Sequence, residues 1–132
     1  MSLGINSIDH FVLTVANCDN TLHFYGDILG MKIETFGDNR LAIRMGEQKI
    51  NIHVAGREIA PHAASPLPGT GDFCLISSRP VEELVAVIEA RGGIIELGPV
   101  ARTGASCPLQ SIYLRDPDGN LVEIANKVPQ TK

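Results

Sequence analysis

One pattern of strand-like segments occurs twice along this chain, with polar residues at matching places in the two copies. Ile8-Asp9-His10-Phe11-Val12-Leu13 matches Thr70-Gly71-Asp72-Phe73-Cys74-Leu75, and Lys49-Ile50-Asn51-Ile52-His53 matches Leu121-Val122-Glu123-Ile124-Ala125. A repeat this long implies two copies of one supersecondary unit, burying together a core that neither buries alone. At 132 residues the expectation is a single domain. Module 1 spans about 5–56, a Pro- and Ala-rich linker 57–69, and module 2 about 70–127.

Each copy reads as strand, helix and three strands. Ile8 to Val15 alternates as a strand, and Asp19 or Asn20 can cap a helix carrying Leu22, Tyr25, Ile28 and Leu29, with Gly30 as its stop. Met31–Thr35, Arg40–Met45 and Lys49–Val54 follow as strands across Gly-containing turns. In the second copy Asp72–Ser77 is a strand and Pro80 suits the first turn of a helix carrying Leu84, Val87 and Ile88, ended by Gly92-Gly93. Ile94–Val100, Gln110–Arg115 and Asn120–Ala125 are expected as strands, the last two joined by Asp116-Pro117-Asp118-Gly119.

Strand side chains alternate between faces, so parity sorts the titratable groups. His10 and Thr14 oppose Phe11, Leu13 and Val15; Lys49, Asn51 and His53 oppose Ile50, Ile52 and Val54. Asp72 and Cys74 oppose Phe73 and Leu75; Ser111, Tyr113 and Arg115 oppose Ile112 and Leu114; Glu123 opposes Val122 and Ile124. Each strand thus has one apolar face for the helices and one face holding most of the chemistry. The bland reading of that second face is a solvated sheet surface. Two histidines and two carboxylates at matching or adjacent positions favour a site.

The totals exclude several classes. A net charge of −4 with no Lys/Arg cluster argues against nucleic acid or an anionic membrane as partner. Apolar runs are of strand length, so no membrane span is expected, and Met1 to Ser7 shows no signal-peptide pattern. Cys18, Cys74 and Cys107 are odd in number and lack zinc-like spacing, which fits reduced thiols and a cytoplasmic location. Cys107 lies in an expected loop with no partner base nearby in sequence. His23 and His62 are poor site candidates, and Asp116 and Asp118 read as turn chemistry rather than a calcium loop.

Three segments carry a family resemblance: Ile8 to Leu13, Phe24-Tyr25-Gly26-Asp27-Ile28-Leu29-Gly30-Met31, and Tyr113-Leu114-Arg115-Asp116-Pro117-Asp118-Gly119-Asn120-Leu121-Val122-Glu123. Through them the chain resembles the vicinal oxygen chelate superfamily of glyoxalase I, extradiol dioxygenases and fosfomycin- and bleomycin-resistance proteins. It is most similar to the small glyoxalase-domain, dioxygenase-like or virulence-associated members. The resemblance implies an α+β fold of tandem βαβββ modules, forming a curved mixed sheet around a cleft with helices on the outer face. It also implies one divalent metal ion (iron, manganese, nickel or zinc), a small-molecule substrate and homodimerisation.

The family's metal positions fall on His10, Asn51, Asp72 and Glu123. Asn51 stands where glyoxalase I has a carboxylate, and Asp72 where many members have a histidine. His53, on the same strand face as Asn51, offers a substitute. His10, His53 and Glu123 would give the two-imidazole, one-carboxylate set of ferrous oxygenases, whereas His10, Asp72 and Glu123 would give a harder site. Tyr113 falls where fosfomycin-resistance proteins contact substrate with a tyrosine; Arg102, in an expected loop, and Arg115 are further substrate contacts with Asn51. Tyr113, Glu123 and His53 are the expected catalytic groups. The reading that follows is a metal-dependent glyoxalase-like or dioxygenase-like enzyme. Its alternative is a metal-free protein that sequesters a small molecule.

Overall fold

The computed structural model describes residues 1–130. The chain divides into two compact units, Met1–Leu67 and Pro68–Lys132, a division that falls inside the expected linker. The first contains β1 (His10–Val15), α1 (Cys18–Leu22), a π-helical segment (His23–Ile28), β2 (Lys32–Phe36), β3 (Arg40–Met45) and β4 (Gln48–Val54). The second contains β5 (Asp72–Ile76), α2 (Val81–Ala90), β6 (Leu97–Thr103), β7 (Pro108–Arg115) and β8 (Leu121–Lys127). Among the described residues no helix is long and apolar enough to cross a membrane.

The repeat is realised to the level of register. The first unit has a four-stranded sheet in the order β1-β4-β3-β2, and the second has its own in the order β5-β8-β7-β6. The expected mixed sheet is therefore two separate four-stranded mixed sheets. In both, the outer strand runs parallel to the last strand of its unit and the other pairs are antiparallel. His10 lies opposite Lys49 and Val12 opposite Asn51, just as Asp72 lies opposite Leu121 and Cys74 opposite Glu123.

Parity sets the cores. Leu13, Val15, Ile43, Ile50 and Ile52 are buried on one face of the first sheet, and Gly26 of the π-helical segment lies so near Ile33 that a Cβ there would stand 3.2 Å from its side chain. Phe24, Tyr25 and Ile28 are buried from the helical side, with the two rings edge to face at 4.8 Å. In the second unit Val81 and Ile88 of α2 are buried with Ile112, Leu114, Val122 and Ile124. Burying each such aliphatic side chain contributes roughly 1.5–3 kcal/mol before entropy is counted.

Local chemistry shifts several expected boundaries. The first helix is capped by Asn17 rather than Asp19 or Asn20: its side-chain oxygen accepts from the Asn20 amide at 3.0 Å, and its carbonyl accepts from the Thr21 hydroxyl. That helix widens into a π-turn, with the Leu29 amide bonded to the Phe24 carbonyl at 3.0 Å, before Gly30 ends it at φ +67°. Pro80 is the N-cap of α2 rather than a residue of its first turn. β6 runs from Leu97 to Thr103 rather than from Ile94 to Val100. Its register shifts between Leu97 and Val100, at Gly98, where a Cβ would stand 2.5 Å from the Ser111 carbonyl oxygen.

Two polar devices hold the second unit's strands. Asp116 accepts from the amides of Asp118 and Asn120 and from the Asn120 side chain at 2.7 Å, while Asn120 accepts from the Gly71 amide at 2.6 Å. The β7–β8 turn is thereby tied to the start of β5, which fixes Asp72 relative to Glu123. Asn126, a polar residue on the apolar face of β8, accepts from the Val81 amide at 2.8 Å and donates to the Ser77 and Arg79 carbonyls. It supplies the cap that Pro80 cannot.

Candidate functional site

In the first unit the opposite face of β4 carries Lys49, Asn51 and His53 in line. Register places His10, Val12 and Thr14 beside them on β1. Arg44 and Ala42 lie beside Lys49 and Asn51 on β3, and Arg40 follows next to His53. Asn51 and His53 are 5% and 6% exposed, yet the Asn51 side-chain oxygen and both His53 ring nitrogens have no hydrogen-bond partner. Buried polar atoms are nearly always satisfied. Three orphaned atoms on two adjacent same-face side chains mark the place where a ligand would complete the structure. Burial, and secondarily the charge of Arg40, pushes the His53 imidazolium below the ordinary histidine range, although Glu58 opposes this. The ring is therefore neutral near pH 7, with one N–H to donate and one lone pair to accept.

His10 stands at the other end of this face. Its Nδ1 lies 2.7 Å from a carboxylate oxygen of Asp9, whose own pKa is lowered mainly by that bond. A carboxylate only accepts, so the Nδ1 carries the proton and Nε2 keeps its lone pair, as a metal-ligating or basic histidine requires. Asp9 was not singled out in sequence, although an acid directly before a candidate histidine was a visible signal. Asn51 lies two residues beyond the position opposite His10, about 6.6 Å along the strand. His53 lies four beyond, about 13 Å, so two upright imidazoles do not reach one ion bonded at about 2 Å. The register brings His10 toward Asn51 and does not bring it to His53.

The second unit presents Cys74, Glu123 and Tyr113 side by side across β5, β8 and β7. Asp72 is offset from Glu123 by two residues, the arrangement His10 has with Asn51. Burial pushes the Cys74 thiol up to about 11, and the neighbouring Glu123 carboxylate adds to the shift. The thiol is thus a neutral hydrogen-bonding group rather than a nucleophile. Arg102 lies on strand β6 instead of in a loop, and its Nε donates to the Tyr113 phenol oxygen at 2.9 Å. Because the phenol accepts that bond, its own hydrogen remains to donate.

Arg115 is differently engaged. Its guanidinium lies on both Glu96 carboxylate oxygens, at 3.0 and 3.3 Å, and on the Gly119 carbonyl at 3.2 Å. Arg44 makes the equivalent fork on Glu34 in the first unit, at 3.2 and 2.8 Å. Arg44 thereby ties β3 to β2, and Arg115 ties β7 to Glu96 just before β6, with three of its five N–H donors engaged.

The sequence profile of the Glyoxalase/Bleomycin resistance protein/Dioxygenase superfamily matches residues 7–124. The chain is 48% identical over 124 residues to Virulence protein STM3117 of Salmonella typhimurium, covering 94% of this chain and 86% of that protein. The crystal structure of that protein matches with a TM-score of 0.91, covering 94% and 98% of the two chains. Glyoxalase domain-containing protein RDO1 of Mycosarcoma maydis is 41% identical over 124 residues, 94% of this chain and 70% of its own. An integron cassette protein from the mobile metagenome of V. cholerae is 42% identical with a TM-score of 0.92, over 96% and 98% of the two chains.

Proposed function

The chain belongs to the Glyoxalase/Bleomycin resistance protein/Dioxygenase superfamily, and from that premise we propose that it is a glyoxalase-like or dioxygenase-like enzyme acting on a small oxygenated molecule with the help of a divalent metal ion. The observation that carries the reading is the set of unpartnered, buried atoms on Asn51 and His53. Polar groups left open inside a protein are costly unless a ligand meets them.

Each unit offers donor types that suit a divalent ion, His10 on the first and the carboxylates of Asp72 and Glu123 on the second, and a bound ion would act as a Lewis acid on substrate oxygens. Among the described residues, however, no three His, Cys, Asp or Glu side chains gather to hold one. The chemistry argued from the structure is that of the protein's own groups. His53, neutral and desolvated, accepts a proton from a carbon or hydroxyl of the substrate. The second unit, taken by itself, offers the Tyr113 phenol as a hydrogen-bond donor to a substrate oxygen, with Arg102 fixing the position of the phenol oxygen.

The orphaned atoms of Asn51 and His53 also suit a second reading, a protein that binds a small molecule without changing it and without a metal. One experiment separates the two. Protein purified without chelator is analysed for metal, reconstituted anaerobically with iron, manganese, nickel or zinc, and assayed on thiohemiacetals of 2-oxoaldehydes and on catechols. Metal-dependent turnover that is lost in His10→Ala and in Glu123→Ala supports the enzyme. Tight binding of a small molecule, with no retained metal and no turnover, supports sequestration.

A further inference from the structure

The first unit's polar face is cationic in a chain whose net charge is −4. Arg44 is neutralised by Glu34, but Arg40 and Lys49 form no ion pair among the described residues. Both rest against the ring of Phe36, the Arg40 guanidinium carbon 4.7 Å and the Lys49 nitrogen 3.4 Å from its centroid. Lys49 and Phe36 are not paired in register, and Ala42 is the same-face residue on β3 that lies between them. A ring face orients cations without cancelling their charge. The two free cations flank the two side chains whose buried atoms lack partners, since Arg40 neighbours His53 and Lys49 precedes Asn51 by two residues on the same face.

The demands of these groups define a ligand. The Asn51 oxygen needs a donor, the two unpartnered His53 ring nitrogens need polar partners, and the two cations need negative charge. A plain anion leaves Asn51 unmet, and a neutral polyol leaves Arg40 and Lys49 unmet. We propose that the β3–β4 polar face of the first unit is a binding subsite for a small hydroxylated organic anion, Arg40 and Lys49 receiving the anionic group and Asn51 and His53 the adjacent hydroxyl. The inference deepens the functional reading above by naming the substrate class, and it rests on that reading's assignment of Asn51 and His53 to the site.

The test is a titration of the full chain with no metal added, following the His53 ring signals by NMR, assigned through their loss in His53→Asn. Glycerate and glycerol 3-phosphate are the probes, with propionate, inorganic phosphate and glycerol as controls. The hydroxylated anions should shift the His53 signals saturably and bind at least about tenfold more tightly than any control. Arg40→Gln and Lys49→Gln should each weaken that binding by a similar factor, with far-UV circular dichroism and the His23 signals unchanged. Absence of a saturable shift with both hydroxylated anions, controls that bind equally well, or binding indifferent to both substitutions would each overturn the subsite. Binding is read without metal or turnover. A failed activity screen therefore leaves the subsite standing, and a failed titration leaves the enzymatic reading standing with a different substrate.

Discussion

The Tyr113 phenol oxygen accepts a hydrogen bond from Arg102 at 2.9 Å, and the guanidinium also lies over the ring, 5.4 Å from its centroid. A phenol held this way has its hydrogen free to donate and its oxygen fixed in place. Tyr113→Phe should lower kcat/KM by about a hundredfold, the lower end of what one positioned proton donor contributes. Arg102→Met should lower it less, because the phenol stays in place but loses the bond that fixes its orientation. Steady-state kinetics checks both.

Cys74 tests the electrostatics around Glu123. Its residue surface is exposed, yet its thiol is pushed up to about 11 by burial and by the adjacent carboxylate. Its alkylation by iodoacetamide should be slow at pH 8 and climb with a midpoint near 11. Glu123→Gln should lower that midpoint, because it removes the neighbouring negative charge. Peptide-resolved alkylation rates provide the readout.

Asn126 tests the architecture. Asn126→Ala removes the acceptor of the Val81 amide and the donor to two carbonyls at the start of α2. A loss of about 2 kcal/mol is expected in urea unfolding, since a cap and a half-buried amide donor to two carbonyls disappear together. Asn20→Ala, a position expected to cap the first helix, should cost far less, because Asn17 holds that cap.

The forks between strands predict an acid dependence. Arg44 holds the Glu34 carboxyl below its ordinary 4.5. A group lowered on folding adds stability that is fully present above the unfolded-state value and vanishes as pH falls through the folded one. The difference in Tm between the protein and Glu34→Gln should therefore be constant from pH 7 to about 5 and shrink at lower pH. A difference that grows on acidification would reverse the sign.

Much of this was legible in the residues, for identifiable reasons. Period-two alternation with matched apolar residues gave all eight strands and the faces of His10, Asn51, His53, Tyr113 and Glu123, because parity survives small errors in strand ends. Register was not legible. Parity alone put His10 and His53 on one face, whereas the parallel pairing of β1 with β4 sets them four residues apart. Arg102 was misassigned to a loop because Gly98 and Gly104 punctuate its segment, and the close approach of Gly98 to Ser111 shows that the glycine serves a bulge inside a strand. Asp9 and Asn126 were missed because each acts through hydrogen bonds that only the folded geometry reveals. A polar residue on the apolar face of β8 was nonetheless a signal for the second. Asn51 was legible as a substrate contact where glyoxalase I has a carboxylate, but the burial that leaves its oxygen unpartnered beside His53 was not.

The most direct measurement is the pH dependence of kcat/KM in the protein and in His53→Asn, on whichever screened substrate turns over. The account predicts a flat profile through neutrality that falls only below the ordinary histidine value of 6.5, where the buried ring takes up its proton. It also predicts a drop of about a hundredfold in the variant, with that acidic limb gone. A variant that retains full activity and the same acidic limb would remove His53 from the chemistry, and with it the claim that the orphaned atoms on β4 mark the site.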